Sequence, residues 1–205
     1  MAFSQRVTVS ANDGYESWGS PILDEDYLII GDESGGVEAI ARFTAVGIAQ
    51  GATINTATIT FTGQDTYDSG TNMNVFVGCE DVDDSALPTT SDGNVSNRAA
   101  NITTAKTTWN IKSIVADTEY PIDITTAVQE VINRVGWVSG NDIAVLIVNS
   151  TCPTNEWQQV FSVDGSGAKA PIIDIDYTDP TTGQPASLRT FGIPTARRDR
   201  PRSWN

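Results

Sequence analysis

No histidine occurs anywhere in the 205 residues. Ser-His-Asp and Cys-His nucleophile systems are therefore excluded, and so are zinc centres built on imidazole. Cysteine is almost absent too, with only Cys79 and Cys152 present. Two cysteines cannot make a stapling framework in a chain of this size. They read as buried thiols, with a single bridge between them as the alternative. Basic residues are scarce: 12 Lys and Arg stand against 26 Asp and Glu, a formal charge of −14. A generic nucleic-acid binder, which neutralises phosphates with clustered cations, does not look like this. No apolar run approaches the roughly 20 residues of a membrane span. Met1 to Arg6 runs directly into Val7-Thr8-Val9 with no apolar leader segment. The expectation is a protein made in the cytosol, with reduced thiols and no membrane partner.

What charge there is lies unevenly. Up to Thr178 there are 7 basic and 24 acidic residues, net −17; from Asp179 on there are 5 Arg and 2 Asp, net +3. The length suits one well-buried core with an extension, which divides the chain into a body, 1–178, and a tail, 179–205.

The body reads as strands. Period-two alternation of apolar and hydroxyl-bearing residues marks Arg6 to Ser10, Val37 to Ala45, Thr56 to Thr62 and Asn72 to Cys79. Asp26 to Gly31 and Asp142 to Asn149 are short apolar runs that suit strands buried on both faces, the second at the centre of a sheet. Trp157 to Val163 and Pro171 to Tyr177 read as two strands joined by the Asp164-Gly165-Ser166-Gly167 turn, with Ile173, Ile175 and Tyr177 inward and Asp174 and Asp176 outward. Ala11 to Tyr15 reads as a turn, and Thr89 to Thr104 as a polar surface excursion. One helix is expected near Asp123 to Arg134, from the spacing of Ile124, Val128, Val131, Ile132 and Val135, with Asp123 or Thr125 as its cap. The fold class that follows is all-β: an antiparallel two-sheet sandwich, jelly-roll-like, with one short helix and an extended C-terminal arm.

Several of these segments, taken in order, resemble the DNRLRE-type β-sandwich domains. They are Asp13-Gly14-Tyr15, Leu28 to Gly31, Ala41-Arg42-Phe43, Gly51 to Ile59, Ile122 to Thr125 leading into Val128-Gln129, and Pro171 to Tyr177. The resemblance covers about residues 6 to 178 and implies a β-sandwich of the kind found in bacterial surface proteins and some polysaccharide-binding modules. This chain has no D-N-R-L-R-E string, and no ligand residue carries over from the family.

Candidate chemistry is sparse. Asp24, Glu25 and Asp26, then Asp81, Asp83 and Asp84, then Asp174 and Asp176 are carboxylate clusters in polar loops or on a strand surface. They read as solvated charge, and the chain as no enzyme, because a glycosidase pair must face across a cleft. For cofactors the expectation is none. The one metal considered is calcium, at Asp81 to Ser85 or Asp164 to Gly167, and neither loop has a full ligand spacing. Trp18, Trp109, Trp137 and Trp157 are candidate glycan platforms, with core packing as the competing reading. In the tail, Leu188, Phe191, Ile193 and Trp204 are candidate apolar anchors, and Arg189, Arg197, Arg198, Arg200 and Arg202 candidate polar clamps, in a segment with four prolines and little apolar periodicity.

These features lead to an expected function. The chain reads as a structural virion protein of a bacteriophage, a capsid decoration or minor head or tail component. Its tail would hold neighbouring major capsid, head or tail subunits, and its body would form a symmetric homo-oligomer. The alternative is a carbohydrate-binding module that attaches to host or environmental glycans.

Overall fold

The computed structural model describes residues 1–32 and 36–180, apart from the side chains of 67–70. The all-β expectation holds: twelve strands, all paired antiparallel, dominate the described chain. They are β1 (Ala2–Arg6), β2 (Asp13–Ser17), β3 (Ser20–Ile22), β4 (Tyr27–Asp32), β5 (Val37–Phe43), β6 (Thr53–Thr62), β7 (Tyr67–Cys79), β8 (Thr107–Ile114), β9 (Glu119–Asp123), β10 (Ile143–Thr151), β11 (Glu156–Phe161) and β12 (Ile172–Thr178). A four-stranded sheet has the order β1-β12-β6-β9, a six-stranded sheet the order β3-β2-β5-β10-β7-β8, and β11 pairs with β4 in a separate ribbon.

The main core lies between the inner faces of the two large sheets. Ala57, Ile59 and Phe61 of β6 and Ile173, Ile175 and Tyr177 of β12 meet Val37, Ala39, Ala41, Phe43, Val75 and Val77 from the larger sheet. β10 is central, as its composition predicts. Ile143, Val145 and Ile147 enter the main core, whereas Ala144 and Leu146 face the other way into a second small cluster with Ile40 and Val95. Burial on both faces removes any need for polar alternation.

The departures from expectation have physical reasons. β6 begins at Thr53, upstream of the clean alternation, because the pairing with β12 shifts register between Asp176 and Tyr177 and leaves Asn55 as a bulge. The extra residue exposes Asn55 and Thr56 together and returns Ile54 to the buried side. β1 ends where the first strand was expected to start, and β2 forms where a turn was expected. All five β2 residues are buried, the polar ones included. β11 and β12 are neighbours in sequence but do not pair; β12 is instead inserted between β1 and β6.

Among the described residues two α-helices occur where one was expected: α1 (Asn94–Ala99) and α2 (Thr125–Ile132). α1 falls inside the stretch read as a surface excursion. α2 matches the expected helix, and Asp123 Oδ1 accepts from Thr125 N at 2.8 Å at its start. It packs Ala127, Val128, Val131 and Ile132 into the core, with about 1.5–3 kcal/mol gained for each fully buried Val or Ile. Val135 is not part of that face. The helix stops at Ile132, Val135 is 96% exposed, and Trp137 fills the core in its place, its Nε1 donating to Ile48 O at 2.9 Å.

Candidate functional site

α1 lies across the outer face of the larger sheet, and buried polar residues pin it there. Glu16 of β2 is 1% exposed. Its Oε2 accepts from Val95 N at 2.7 Å and Ser96 N at 3.1 Å, and Ser96 Oγ donates to its Oε1 at 2.5 Å. A carboxylate carried by a strand thus satisfies amides that a six-residue helix leaves open at its start.

On the same helix, Arg98 turns into the body. Its Nη1 stands 3.1 Å from Glu80 Oε2 and donates to Ala86 O at 2.8 Å, while Nη2 donates to Leu87 O at 3.1 Å. Ser85 Oγ donates to the same Glu80 oxygen at 2.5 Å. Glu80 and Arg98 are each 8% exposed, so the pair is stable only because these extra bonds offset its desolvation. Between α1 and the Glu80 to Ala86 loop runs an open groove of about 340 Å³, lined by Glu80, Asp84, Asn94, Asn97, Arg98 and Asn101. The three asparagines lie at helical spacing and offer amide donors and acceptors to a polar ligand or an extended chain.

Trp18 stands beside the start of α1. Trp18 and Gly19 are the two central residues of the β2–β3 hairpin, with φ of 56° and 77°. Positive φ at both positions is the requirement of a type I′ turn, which favours Asn-Gly and strains a tryptophan. The indole is nonetheless 73% exposed. The tip that carries it is braced, because Gly93 N donates to Gly19 O at 2.9 Å and Ser20 Oγ lies 3.4 Å from Asp92 Oδ1. A large apolar side chain held outward in a disfavoured conformation on a fixed support suits an anchor for a partner.

The other tryptophans are placed differently. Trp137 is 2% exposed in the core, out of reach of any sugar ring. Trp109 stacks on Phe61 and meets Tyr120 at a tilt, with centroid distances of 6.0 Å to each. Trp157 is half-buried against the core. Of the four candidate platforms, only Trp18 presents most of its surface. The tail candidates Leu188, Arg189, Phe191, Ile193, Arg197, Arg198, Arg200, Arg202 and Trp204 lie outside the described residues.

The acidic loops proposed for calcium have protein partners. Arg134 binds both Asp81 and Asp83, Asp84 Oδ1 accepts from Asp142 N at 2.8 Å, and Asp164 Oδ1 accepts from Ser10 Oγ at 2.6 Å. Among the described residues no group of three or more Asp, Glu, His or Cys is arranged to hold a metal. Asp24, Glu25 and Asp26 are not buried, and Asp174 and Asp176 are exposed. Both cysteines are free thiols; burial pushes Cys79 up to about 12 and half-buried Cys152 up to about 11, so neither is a ready nucleophile.

Two perturbed carboxyls escaped the sequence. Asp13 is raised to about 7, chiefly by burial and secondarily by Asp164, with the bond from Val163 N opposing. Glu38 is also raised, by burial and by the facing charges of Glu16 and Asp32. Glu16, Glu80 and Arg98 were missed as well. The one available signal for α1 was Val95 and Ala99 at i, i+4, within a stretch otherwise polar.

No protein-family model matches the chain, and no curated protein matches it either. Among solved structures, latent aurone synthase, a polyphenol oxidase, from its natural source aligns with a TM-score of 0.31 and 10% identity, over 72% of this chain and 25% of that one. The recombinantly expressed latent enzyme gives 0.31 and 11% identity, over 73% and 25%. The chain thus spans about a quarter of those proteins, and at that score the likeness carries no argument about function.

Proposed function

We propose that this chain is a non-catalytic assembly protein, an accessory structural component of a bacteriophage virion such as a capsid decoration or a minor head or tail protein. The observation that carries a docking role is Trp18, a 73% exposed indole at a braced hairpin tip with φ of 56°. The virion assignment draws on the division between an acidic body of net −17 and a segment from Asp179 on of net +3, which suits a part held on a larger particle. Fractionation of phage particles on a density gradient tests it. The full chain is expected to sediment with particles, and Trp18→Ala and a chain ending at Pro180 to be depleted from them. A chain that stays at the top of the gradient overturns the reading.

A carbohydrate-binding module is the second reading. It is favoured by the same exposed indole standing beside the groove of Asn94, Asn97 and Asn101. Retention on a glycan array that is lost with Trp18→Ala and with Asn97→Ala, and kept in the chain ending at Pro180, would select it.

A further inference from the structure

The outer face of the four-stranded sheet has no covering element among the described residues. Across it run Ala2 and Ser4 of β1, Asp174 and Asp176 of β12, and Thr56 and Thr58 of β6, which border a shallow groove of about 200 Å³. In register, Asp174 sits between Ser4 and Thr58, and Asp176 between Ala2 and Thr56. Asp176 is engaged by Asn55 Nδ2 at 2.9 Å and by the terminal amine at 3.7 Å. The Asp174 carboxylate has no partner among the described residues and is exposed. The row therefore presents carboxylates at every second residue of β12, roughly 6.6 Å apart, Asp174 between two hydroxyls and Asp176 beside one.

The tail repeats the opposite charge at the same interval. In Arg198-Asp199-Arg200-Pro201-Arg202 the arginines fall at every second position, so an extended segment places three guanidinium groups on one side. A guanidinium presents five donors in a planar fork that fits a carboxylate and an adjacent hydroxyl. The face and the tail are complementary in charge, and the length of the tail lets that of one copy reach the face of another. β12 ends at Thr178, and Pro180 has no amide hydrogen with which to extend its ladder. The 18 residues from 181 to 198 can span up to about 60 Å, enough to cross to a neighbouring molecule.

We propose that the Arg198 to Arg202 segment of one copy docks along β12 on the outer face of the four-stranded sheet of a second copy, with Asp174 as its principal acceptor. This deepens the assembly reading and rests on it, by naming a second copy of the chain as a partner of the basic tail. The test is sedimentation equilibrium on two full-length variants: a face variant with Asp174→Asn and Asp176→Asn, and a tail variant with Arg198→Ser, Arg200→Ser and Arg202→Ser. The wild type is expected to self-associate, with a dissociation constant that rises by about tenfold or more as salt goes from low to high. Each variant alone is expected to be monomeric with an unchanged melting curve. Mixed, they are expected to form a one-to-one complex, because one supplies the tail and the other the face. A wild type that stays monomeric, or a face variant that associates as the wild type does, overturns the proposal. Particle association measured as above is a separate readout, so failure of self-docking and failure of the virion reading are told apart.

Discussion

Asp13→Asn should change how stability depends on pH more than it changes stability itself. Asp13 is 1% exposed; its Oδ2 accepts from Val163 N at 2.9 Å, and its Oδ1 has no partner. Burial raises its pKa from 3.8 to about 7. Because the folded value lies above the unfolded one, the native state holds a proton through this window that the unfolded chain has released. Stability from this group is complete below about pH 4 and is lost as pH rises toward 7. Three pKa units correspond to about 4 kcal/mol at most, and relaxation around the buried charge reduces that to roughly 2–4 kcal/mol. Asparagine still accepts from Val163 through its carbonyl and places an unmet amide where Oδ1 now lies, at a cost of about 1–3 kcal/mol that does not vary with pH. The informative quantity is therefore the slope. In urea melts between pH 4 and 8, the stability of the Asp13→Asn variant relative to wild type should climb by about 2–4 kcal/mol with rising pH. A difference that stays flat across that range would refute the assignment of a buried, high-pKa carboxyl.

Three further outcomes follow from the geometry. Arg98→Ala strands the buried Glu80 carboxylate and should cost about 3–5 kcal/mol in denaturant melts, much of it recovered by adding Glu80→Gln. Trp18→Asn relieves a positive-φ tryptophan and should raise stability by about 0.5–1 kcal/mol while it weakens particle association; a loss of stability would mean that the indole packs on the body. Gly31→Ala should destabilise by about 2 kcal/mol or more by calorimetry, since φ is 124° and a Cβ would stand 2.5 Å from Glu156 O.

The sequence exposed those parts of the fold whose signals are local. β5, β10, β12 and α2 were legible because their own residues alternate, run apolar or repeat at helical spacing. β2 and α1 were not, because each is completed by residues far along the chain. Glu16 looks like a solvent residue until the amides of Val95 and Ser96, some 80 positions away, arrive over it. The same holds for Asp13, whose neighbour Val163 is 150 positions distant. Of the candidate site, Trp18 could be nominated by type alone, but its standing apart from Trp109, Trp137 and Trp157 depends on a turn conformation that a Trp-Gly pair does not advertise.

The placement of β12 has a consequence for how the protein is made. Strands β1 and β6 flank a slot that only Ile172–Thr178 can fill, and Met1 N meets Tyr177 O at 2.5 Å when it does. During synthesis the nascent polypeptide must hold two strand edges apart, unzipped and adhesive, until that piece emerges from the ribosome. The β6–β9 pair can form earlier, but joining β1 to it waits on translation through Thr178. A permuted variant that begins synthesis near residue 165, so that β12 precedes both of its partners, should mature faster and aggregate less.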